Sequence, residues 1–266
     1  MIKINNKLIE INKFPDMTLL IKENPNYKEA TISWHFENNE EVVALIYLTK
    51  HLRSHGVSKI ELYMPYIPNA RQDRVKVSDD VFTLKHFAWI INSLKFDKVS
   101  VLDPHSSVSE ALIENLSIIS PKPYIDMAIK NIEIYNKNNV MMFYPDEGAM
   151  KRYSGMIEKN YAFGIKNRDW RTGQIKGLMV SGNTDDIKNS TVLIVDDICS
   201  RGGTFYHSAL KLKELGVKNI YLYITHCENT ILNGEVLTCG LIDKVYTTNS
   251  IFTKEHEKIE VFNLEN

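Results

Sequence analysis

One unit recurs along this chain: an amphipathic stretch, a short break, and then an apolar run rich in β-branched residues. Regular alternation of helix and strand at this interval is typical of parallel βαβ units, so we predict an α/β fold. The unit appears four times, with breaks that begin at Gly56, Lys95, Gly216 and Leu241. Apolar residues at helical spacing precede three of these breaks, over residues 40–53, 83–94 and 204–215.

Two parallel sheets fit this pattern better than one. The chain has 266 residues, which is more than an average α/β domain requires. Two prolines, Pro121 and Pro123, interrupt the alternation, which then restarts with the apolar run Val140–Tyr144. We therefore predict two tandem parallel-sheet domains, residues 1–122 and 123–266.

Composition excludes several classes of function. Lys and Arg number 32 against 33 for Asp and Glu, so the net charge of −1 supplies no general attraction to nucleic acid or to an anionic membrane. The N-terminal stretch lacks the apolar centre of a signal peptide, and no apolar run reaches the length of about 18 residues that a membrane span needs. The three cysteines form no CxxC pair, which indicates reduced thiols. We predict a cytoplasmic protein with no nucleic-acid or membrane partner.

The most informative segment is an apolar strand that ends in two acids and turns through two glycines into a helix. The acids are Asp196 and Asp197, and the glycines are Gly202 and Gly203. Backbone N–H groups at the glycines and the positive end of the helix predict a phosphate site, with Thr204 as the helix N-cap. The two carboxylates are expected to bind ribose hydroxyls. The plainer interpretation is an acidic N-cap on a tight turn.

This segment resembles the loop that binds phosphoribosyl diphosphate (PRPP) in the type I phosphoribosyltransferase fold. Together with five further motifs, it resembles the ribose-phosphate pyrophosphokinase family, also called PRPP synthetases, over about residues 10–250. The Arg-Gln-Asp-Arg element in the first of these motifs is specific to that family as against the transferases that consume PRPP. In chain order the motifs are Pro65–Arg74, Val101–His105, Tyr144–Gly148, Lys166–Arg168 and Ile224–His226.

The resemblance implies a diphosphotransferase that moves the β,γ-diphosphoryl group of ATP to the anomeric 1-hydroxyl of ribose 5-phosphate. The products are PRPP and AMP, and the reaction depends on Mg²⁺. The N-terminal domain is then the ATP-binding and assembly domain, and the C-terminal domain carries the ribose-phosphate loop. The ATP-binding residues implied are Phe14, Asp16, Arg71, Gln72, Asp73, Arg74 and His105. The ribose-phosphate-binding residues implied are Asp146, Asp196, Asp197, Ser200, Arg201, Gly202, Gly203 and Thr204.

The same resemblance implies that Lys166, Arg168 and His105 are catalytic. We place Lys166 and Arg168 in a glycine-containing loop that closes over substrate, where their charges stabilise the transition state. A solvated basic loop is the plainer interpretation. His105 and Asp146 are the implied metal contacts, and phosphate and carboxylate oxygens around a partly hydrated ion indicate Mg²⁺ rather than zinc.

Two departures from the family pattern bear on assembly and substrate. A loop that reaches a neighbouring subunit's adenine site keeps Phe14 and Asp16 but has Thr18 in place of a glutamate, so a homo-oligomer with shared active sites is expected. The phosphate loop has Ser200 and Arg201 where the family has Asp and Thr, and each exchange makes the loop more positive by one charge. An added arginine suits a ribose that carries a 5′-diphosphate, so ADP-ribose is the alternative acceptor, in a reaction that rebuilds NAD.

The sequence leaves two further functions open. One is that of a non-catalytic regulatory subunit that resembles PRPP synthetase, although the intact set of acids and cations counts against it. The second is that of a phosphoribosyltransferase that combines PRPP with a base. Release of AMP from ATP without an added base distinguishes the predicted enzyme from such a transferase.

Overall fold

The computed structural model describes residues 1–136, 139–168 and 175–264. The side chains of residues 136, 166–168 and 175–178 lie outside this description. The described chain forms two compact units, Met1–Ser120 and Pro121–Leu264. The predicted α/β class with two tandem parallel-sheet domains is confirmed, and the predicted boundary at residue 122 falls at the beginning of the second unit.

Unit 1 is built on a six-stranded sheet in which four neighbouring strands are parallel. The strand order is β2-β1-β5-β6-β7-β8, with β1 antiparallel to both of its neighbours. Strands β3 and β4 form a separate antiparallel hairpin. The elements are β1 Ile2–Ile4, β2 Lys7–Leu8, β3 Ile11–Lys13, β4 Leu19–Ile21, β5 Glu29–Trp34, α1 Glu40–Ser54, β6 Lys59–Tyr63, α2 Thr83–Ser93, β7 Lys98–Leu102, α3 Val108–Leu112 and β8 Leu116–Ile119.

The periodicity of the sequence explains how unit 1 buries its core. In β6, Ile60 and Leu62 are buried while the residues between and beside them are more accessible, as a pleated strand requires. In α1, Leu45, Leu48 and Leu52 recur at helical spacing and join the same apolar cluster. The helix packs its apolar side chains against those of the sheet, because this contact removes both apolar surfaces from water.

Unit 2 has a seven-stranded sheet of order β11-β10-β9-β12-β13-β14-β15, in which only the β10–β11 pair is antiparallel. Two short 3-10 helices, Asn229–Asn233 and Glu235–Leu237, follow β13. The other elements are α4 Lys122–Asn136, β9 Val140–Tyr144, α5 Glu147–Tyr153, β10 Tyr161–Arg168, β11 Ile175–Gly182, β12 Thr191–Cys199, α6 Gly203–Glu214, β13 Asn219–Cys227, β14 Lys244–Thr248 and β15 Ile259–Phe262.

The turn after helix α1 shows how the chain passes from a helix to the next strand in one repeat. Gly56 has a φ of 81°, a left-handed conformation that ends the helix with little strain for glycine. Arg53 donates to the carbonyl of Ser58 at 2.6 Å, and Asp97 accepts the backbone N–H of Ile60 at 2.7 Å. The helix end and the next two strands are thus joined by charge-assisted hydrogen bonds.

The turn after helix α6 repeats this arrangement in unit 2. Gly216 has a φ of 85°, and Lys213 donates to the carbonyl of Lys218 at 2.7 Å. Asp243 accepts the N–H of Ile220 at 2.9 Å. The shared turn chemistry explains why the repeat is visible in the sequence.

Two predictions about local structure are wrong. The alternation does not break before the domain boundary, because Leu116–Ile119 form strand β8, which pairs in parallel with β7. Pro121 follows this strand rather than interrupting it. The predicted loop spans residues 164–177, but residues 164–168 and 175–177 belong to the paired strands β10 and β11, and residues 169–174 lie outside the described part of the chain. Among the described residues, no helix has the length and hydropathy needed to cross a membrane.

Candidate functional site

Three acids lie at or near the carboxyl ends of neighbouring strands in unit 2. Asp146 directly follows β9 and Pro145, and its side chain caps helix α5 by accepting the N–H of Ala149 at 3.1 Å. Asp196 and Asp197 lie within β12, which continues to Cys199 rather than ending before them. In parallel sheets ligands bind beyond the carboxyl ends of strands, and β9 pairs with β12 at this edge.

The two adjacent acids of β12 differ in their environments. Burial, followed by the charge of the neighbouring Asp197 carboxylate, raises the pKa of Asp196 well above its ordinary value of 3.8. The Asp146 carboxylate acts in the same direction. Asp197 is 2% exposed and forms an ion pair with Arg152 of α5 at 3.1 Å. The charge of Asp197 is therefore compensated by Arg152, whereas Asp196 retains a strong tendency to bind a proton or a cation.

The loop of residues 200–204, which the resemblance predicts to be the ribose-phosphate loop, connects β12 to helix α6. Gly202 has a φ of 81° and is the N-cap, and its carbonyl accepts the N–H groups of Phe205 and Tyr206 at 2.9 Å each. The prediction that Thr204 is the N-cap is wrong, because the left-handed glycine begins the helix two residues earlier. A Cβ at Gly202 would collide with Val236, so this position also requires glycine for space.

The solvent-facing side of the loop carries its remaining polar groups. Arg201, Gly203 and Thr204 are exposed, and the space around a Cβ at Gly203 is open. Helix α6 begins here, so its unpaired N–H groups and positive dipole end are directed at this side. An exposed guanidinium beside a helix N-terminus is chemically suited to phosphate.

A hydrogen-bond chain joins this loop to the segment after β13. Ser200 Oγ lies 3.0 Å from Thr230 Oγ1, and Thr230 Oγ1 donates to a carboxylate oxygen of Glu228 at 3.1 Å. Neither Glu228 nor Thr230 is singled out by the sequence motifs. Their only sequence signal is their position directly after the Ile224–His226 motif.

The Ile224–His226 motif ends in a buried polar network. His226 is 3% exposed and its Nδ1 lies 2.9 Å from Ser250 Oγ. Ser250 and Thr248 each hydrogen-bond to the carbonyl of Thr225, at 3.2 and 2.7 Å. These hydrogen bonds connect the carboxyl ends of β13 and β14. His226 therefore has a structural role close to the acids of β12.

In unit 1, the Arg-Gln-Asp-Arg element is centred on a buried carboxylate. Asp73 is 5% exposed and accepts two bonds from Arg74, at 2.8 and 3.0 Å. The Arg74 guanidinium, then the Ser106 hydroxyl and the charge of His105, hold the pKa of Asp73 below its ordinary value of 3.8. The structure thus brings the predicted residues Asp73, Arg74 and His105 together. Asp73 orients the cation, and Arg74 itself remains largely accessible.

The other predicted ATP-binding residues of unit 1 are accessible. Arg71 and Gln72 are exposed, and Gln72 accepts a hydrogen bond from Thr83 at the beginning of α2. Asp103, just before His105, is buried and has a φ of 42°. A non-glycine residue with this backbone conformation is uncommon and is enriched at functional sites.

Phe14 and Asp16 lie at the tip of the β3–β4 hairpin. Asp16 accepts the hydroxyl and the N–H of Thr18, and the hydroxyl bond lowers the pKa of Asp16 most. Phe14 is 48% exposed and Met17 is 65% exposed. Thr18, which replaces the glutamate of the family pattern, therefore stabilises the turn that presents Phe14.

Lys166 and Arg168 are on strand β10, with backbone partners Leu178 and Ile175 on β11. Their side chains lie outside the described part of the chain. The antiparallel pairing places the two residues near the end of a hairpin at the edge of the unit 2 sheet.

Within residues 1–136, 139–168 and 175–264, no group of three or more His, Cys, Asp or Glu side chains is arranged to enclose a metal ion. Asp146, Asp196 and Asp197 nevertheless offer the carboxylate oxygens that Mg²⁺ prefers as ligands. Such an ion is commonly held by one or two carboxylates, water and substrate phosphates.

Arg152 is a residue that the sequence analysis missed. Its ion pair with Asp197 joins two elements that are far apart in the chain, and no spacing rule connects them. An arginine in the last turn of a short helix has no distinctive pattern, whereas the acids follow a recognisable strand.

Comparison with known structures defines the class of fold. The crystal structure of phosphoribosylpyrophosphate synthetase from Mycobacterium smegmatis matches 96% of this chain and 86% of that chain, with a TM-score of 0.78 and 18% sequence identity. Both units are thus of the phosphoribosyltransferase type. No protein-family model matches the chain.

Curated relatives show which proteins the chain is similar to. Ribose-phosphate pyrophosphokinases from Thermococcus kodakarensis and Pyrococcus abyssi are 27% and 28% identical, over 92% and 95% of this chain and 86% and 87% of their own lengths. The enzyme of the same name from Bradyrhizobium diazoefficiens is 28% identical over 91% of this chain and 78% of its own length. The chain is homologous to the ribose-phosphate pyrophosphokinases over nearly its whole length, so the resemblance and the diphosphotransferase class predicted from its motifs are confirmed.

Proposed function

We propose that this protein transfers the β,γ-diphosphoryl group of ATP to the anomeric 1-hydroxyl of ribose 5-phosphate. A bond forms between O1 of the sugar and the β-phosphorus, and the bond between that phosphorus and the bridging oxygen of the α-phosphate breaks. AMP leaves, PRPP forms, and the proton of the sugar hydroxyl is released to solvent.

The observation that carries the proposal is the arrangement at the carboxyl edge of the unit 2 sheet. There Asp196 and Asp197 precede a loop that begins a helix from the left-handed Gly202. The carboxylates can bind the hydroxyls of a sugar, and the N–H donors a few residues later can bind a phosphate. A ribose phosphate carries both kinds of group on one small molecule.

Electrostatic positioning accounts for the proposed chemistry. Diphosphoryl transfer requires little covalent participation by the protein, but it requires cations around the migrating phosphates and alignment of the two substrates. Arg71 and Arg74 are proposed to bind the ATP phosphates, with Asp73 holding Arg74 in place. Lys166 and Arg168 are proposed to stabilise the negative charge of the transition state, with His105 at the ATP phosphates.

Magnesium fits the donor groups that these residues offer. When bound, it supplies a positive charge that screens the diphosphoryl oxygens and aligns them for transfer. Asp146 and Asp196 are proposed to contact the ion or its waters, and His105 is proposed as a contact on the ATP side. Asp196 is proposed for this role because it lies near the carboxyl end of β12, on the strand that pairs with β9, which Asp146 follows.

A product assay tests the proposal. Purified protein is incubated with Mg²⁺, ATP and ribose 5-phosphate, and AMP release and the mass of the sugar product are followed. We expect one AMP and one PRPP for each ATP, with no added base. ATP that stays intact in the presence of the acceptor refutes diphosphoryl transfer and favours a regulatory subunit.

Variants of the cationic residues test the proposed roles. We expect Lys166→Ala and Arg168→Ala to lower kcat by roughly a hundredfold or more while changing KM less, because contacts that strengthen in the transition state act on kcat. The matched control is Lys151→Ala, which removes an exposed lysine of α5. Full turnover by Lys166→Ala contradicts the assignment.

A second acceptor, ADP-ribose, is favoured by the exposed side of the ribose-phosphate loop. Arg201 is exposed and the space beside Gly203 is open, so a 5′-diphosphate and the group beyond it meet no side chain at that glycine. Offering ADP-ribose and ribose 5-phosphate in separate assays decides between them. If Arg201→Thr does not change the preference between the two acceptors, the arginine is not its determinant.

A further inference from the structure

The segment after β13 forms a wall against the ribose-phosphate loop. The N–H of Glu228 donates to the carbonyl of Cys199 at 2.8 Å, which attaches the segment to the end of β12. A Cβ at Gly234 would collide with the carbonyl of Arg201, and one at Gly202 would collide with Val236. Contacts this close leave the loop little freedom to change its shape independently of the wall.

The hydrogen-bond chain in this wall has a defined direction. A carboxylate can only accept, so Thr230 must use its single hydroxyl proton to donate to Glu228. The contact of 3.0 Å between Thr230 and Ser200 therefore requires Ser200 to be the donor. As long as the chain is intact, the proton of Ser200 is directed towards Thr230.

This direction limits what Ser200 can offer to a ligand. Its oxygen presents only lone pairs to the loop, and a phosphate dianion has no proton to donate to them. Two acceptors placed together repel each other, so the Ser200 hydroxyl weakens phosphate binding although its residue type suggests the opposite. Binding of the phosphate then depends on Arg201, Thr204 and the N–H groups of the helix.

We propose that Glu228 and Thr230 are specificity-determining residues of the ribose-phosphate loop. They hold the Ser200 proton away from the ligand, so that the Ser200 oxygen accepts from a hydroxyl or N–H group of the acceptor and disfavours a bare phosphate dianion. The inference rests on the proposed function, since it assumes that residues 200–204 hold the phosphate of the acceptor.

Direct binding of ribose 5-phosphate tests this inference without depending on turnover. Calorimetric titration in the absence of ATP compares the wild-type protein with Thr230→Val, which leaves Ser200 free to donate to the phosphate. We expect Kd to fall by about threefold to tenfold, as a gained hydrogen bond to an anion predicts. The matched control is Thr238→Val, which removes an exposed threonine hydroxyl outside the hydrogen-bond chain and should leave Kd unchanged.

Two further variants separate the hydrogen-bond chain from a general effect on the loop. Glu228→Gln can donate from its amide, which permits the whole chain to reverse, so Kd should again fall, and a fall caused by the chain rather than by the lost charge should be absent in a Ser200→Ala background. In a Ser200→Ala background, which has no hydroxyl proton to redirect, Thr230→Val should leave Kd unchanged. An unchanged or higher Kd for Thr230→Val in the wild-type background, or a fall in Kd when it is added to Ser200→Ala, overturns the inference.

The AMP-release assay is run on the same preparations. A wild-type protein that binds ribose 5-phosphate but releases no AMP refutes the proposed reaction, while the comparison of Kd values still decides the role of the hydrogen-bond chain. Absence of binding by both the wild type and Thr230→Val overturns the inference as well, because the loop is then no site for this phosphate.

Discussion

At the scale of single residues, the site is governed by how each buried charge is compensated. Asp197 and Asp73 are both nearly inaccessible, and each has an arginine as partner, at 3.1 and 2.8 Å. Burial of an unpaired carboxylate costs several kcal/mol, so these arginines are part of the fold as well as of the site. Asp196 differs, because its burial and then the charge of the neighbouring Asp197 carboxylate raise its pKa.

Removal of Arg152 should destabilise unit 2. We expect Arg152→Ala to lower the free energy of unfolding by about 3 kcal/mol, because it leaves the Asp197 carboxylate buried without its ion pair. Urea denaturation measures the effect. Lys151→Ala is the control: its side chain is 73% exposed and its contact with Glu147 is 3.7 Å, so about 0.5 kcal/mol or less is expected. Equal losses for the two variants contradict a special role of Arg152.

The raised pKa of Asp196 predicts a pH-dependent stability. A proton binds more tightly in the folded than in the unfolded protein, so Asp196 favours folding most below about pH 4 and this contribution is lost as pH rises towards the folded pKa. We expect Asp196→Asn to be more stable than the wild type at about pH 8 and similar to it at about pH 4.

The Asp196→Asn comparison is made from urea midpoints at both pH values. Asparagine keeps the oxygen that accepts the N–H of Asp197 at 2.9 Å, so the variant changes charge more than hydrogen bonding. Asp185→Asn, at an exposed carboxylate of the same unit, controls for net charge. A variant that is less stable than the wild type at the higher pH refutes the argument.

At the scale of elements, the shape of the ribose-phosphate loop depends on one glycine and not on its neighbour. Gly202 combines a positive φ with contact against Val236, whereas Gly203 is the first residue of helix α6 and has open space around it. The two glycines thus serve different purposes: Gly202 is required by backbone conformation and packing, and Gly203 leaves space for a ligand to approach.

Alanine at each position separates these requirements. We expect Gly202→Ala to lower the free energy of unfolding by about 2 kcal/mol, from left-handed strain and the collision with Val236. Gly203→Ala should stay within about 0.5 kcal/mol, since a helical position without crowding accepts alanine. Urea denaturation of both variants is the measurement, and equal stability of the two contradicts the geometry of the loop.

At the scale of the whole molecule, the chain consists of two phosphoribosyltransferase-type units with their own cores. The hairpin of unit 1 presents Phe14 and Met17 to solvent at its tip, and such exposed apolar side chains on a turn are suited to contact another molecule. We propose a homo-oligomer in which this tip contributes to a neighbour's adenine site.

Mixing two inactive variants tests the shared site. Phe14→Ala and Lys166→Ala are each expected to have little activity, because one loses the neighbour's contribution and the other loses a cation of its own site. Subunits mixed and allowed to exchange should regain about a quarter of wild-type turnover if each site combines two chains of a dimer. Asp16→Ala paired with Phe14→Ala is the control, since both changes affect predicted ATP-binding residues of the same hairpin. No recovery in the first mixture, with exchange verified by mass, contradicts a shared site.

The sequence by itself determined the class of fold, the tandem arrangement and the resemblance to the ribose-phosphate pyrophosphokinases. Local spacing carries this information: apolar periodicity defines helices and strands, glycines after helices define turns, and acids and glycines after a strand define the phosphate loop. The predicted helices at 40–53, 83–94 and 204–215 are observed at Glu40–Ser54, Thr83–Ser93 and Gly203–Glu214, because each rests on a repeat of three to four positions.

Only the tertiary structure decided which residues complete the site. Arg152 meets Asp197, and Glu228 and Thr230 orient Ser200, although these partners lie in different elements of the chain. Hydrogen-bond direction and the compensation of buried charge depend on atoms brought together by packing, and no local pattern in the sequence records them. The residue types of the loop predicted a phosphate site, but the two contacts from which we infer the direction of the Ser200 hydroxyl proton exist only in the tertiary structure.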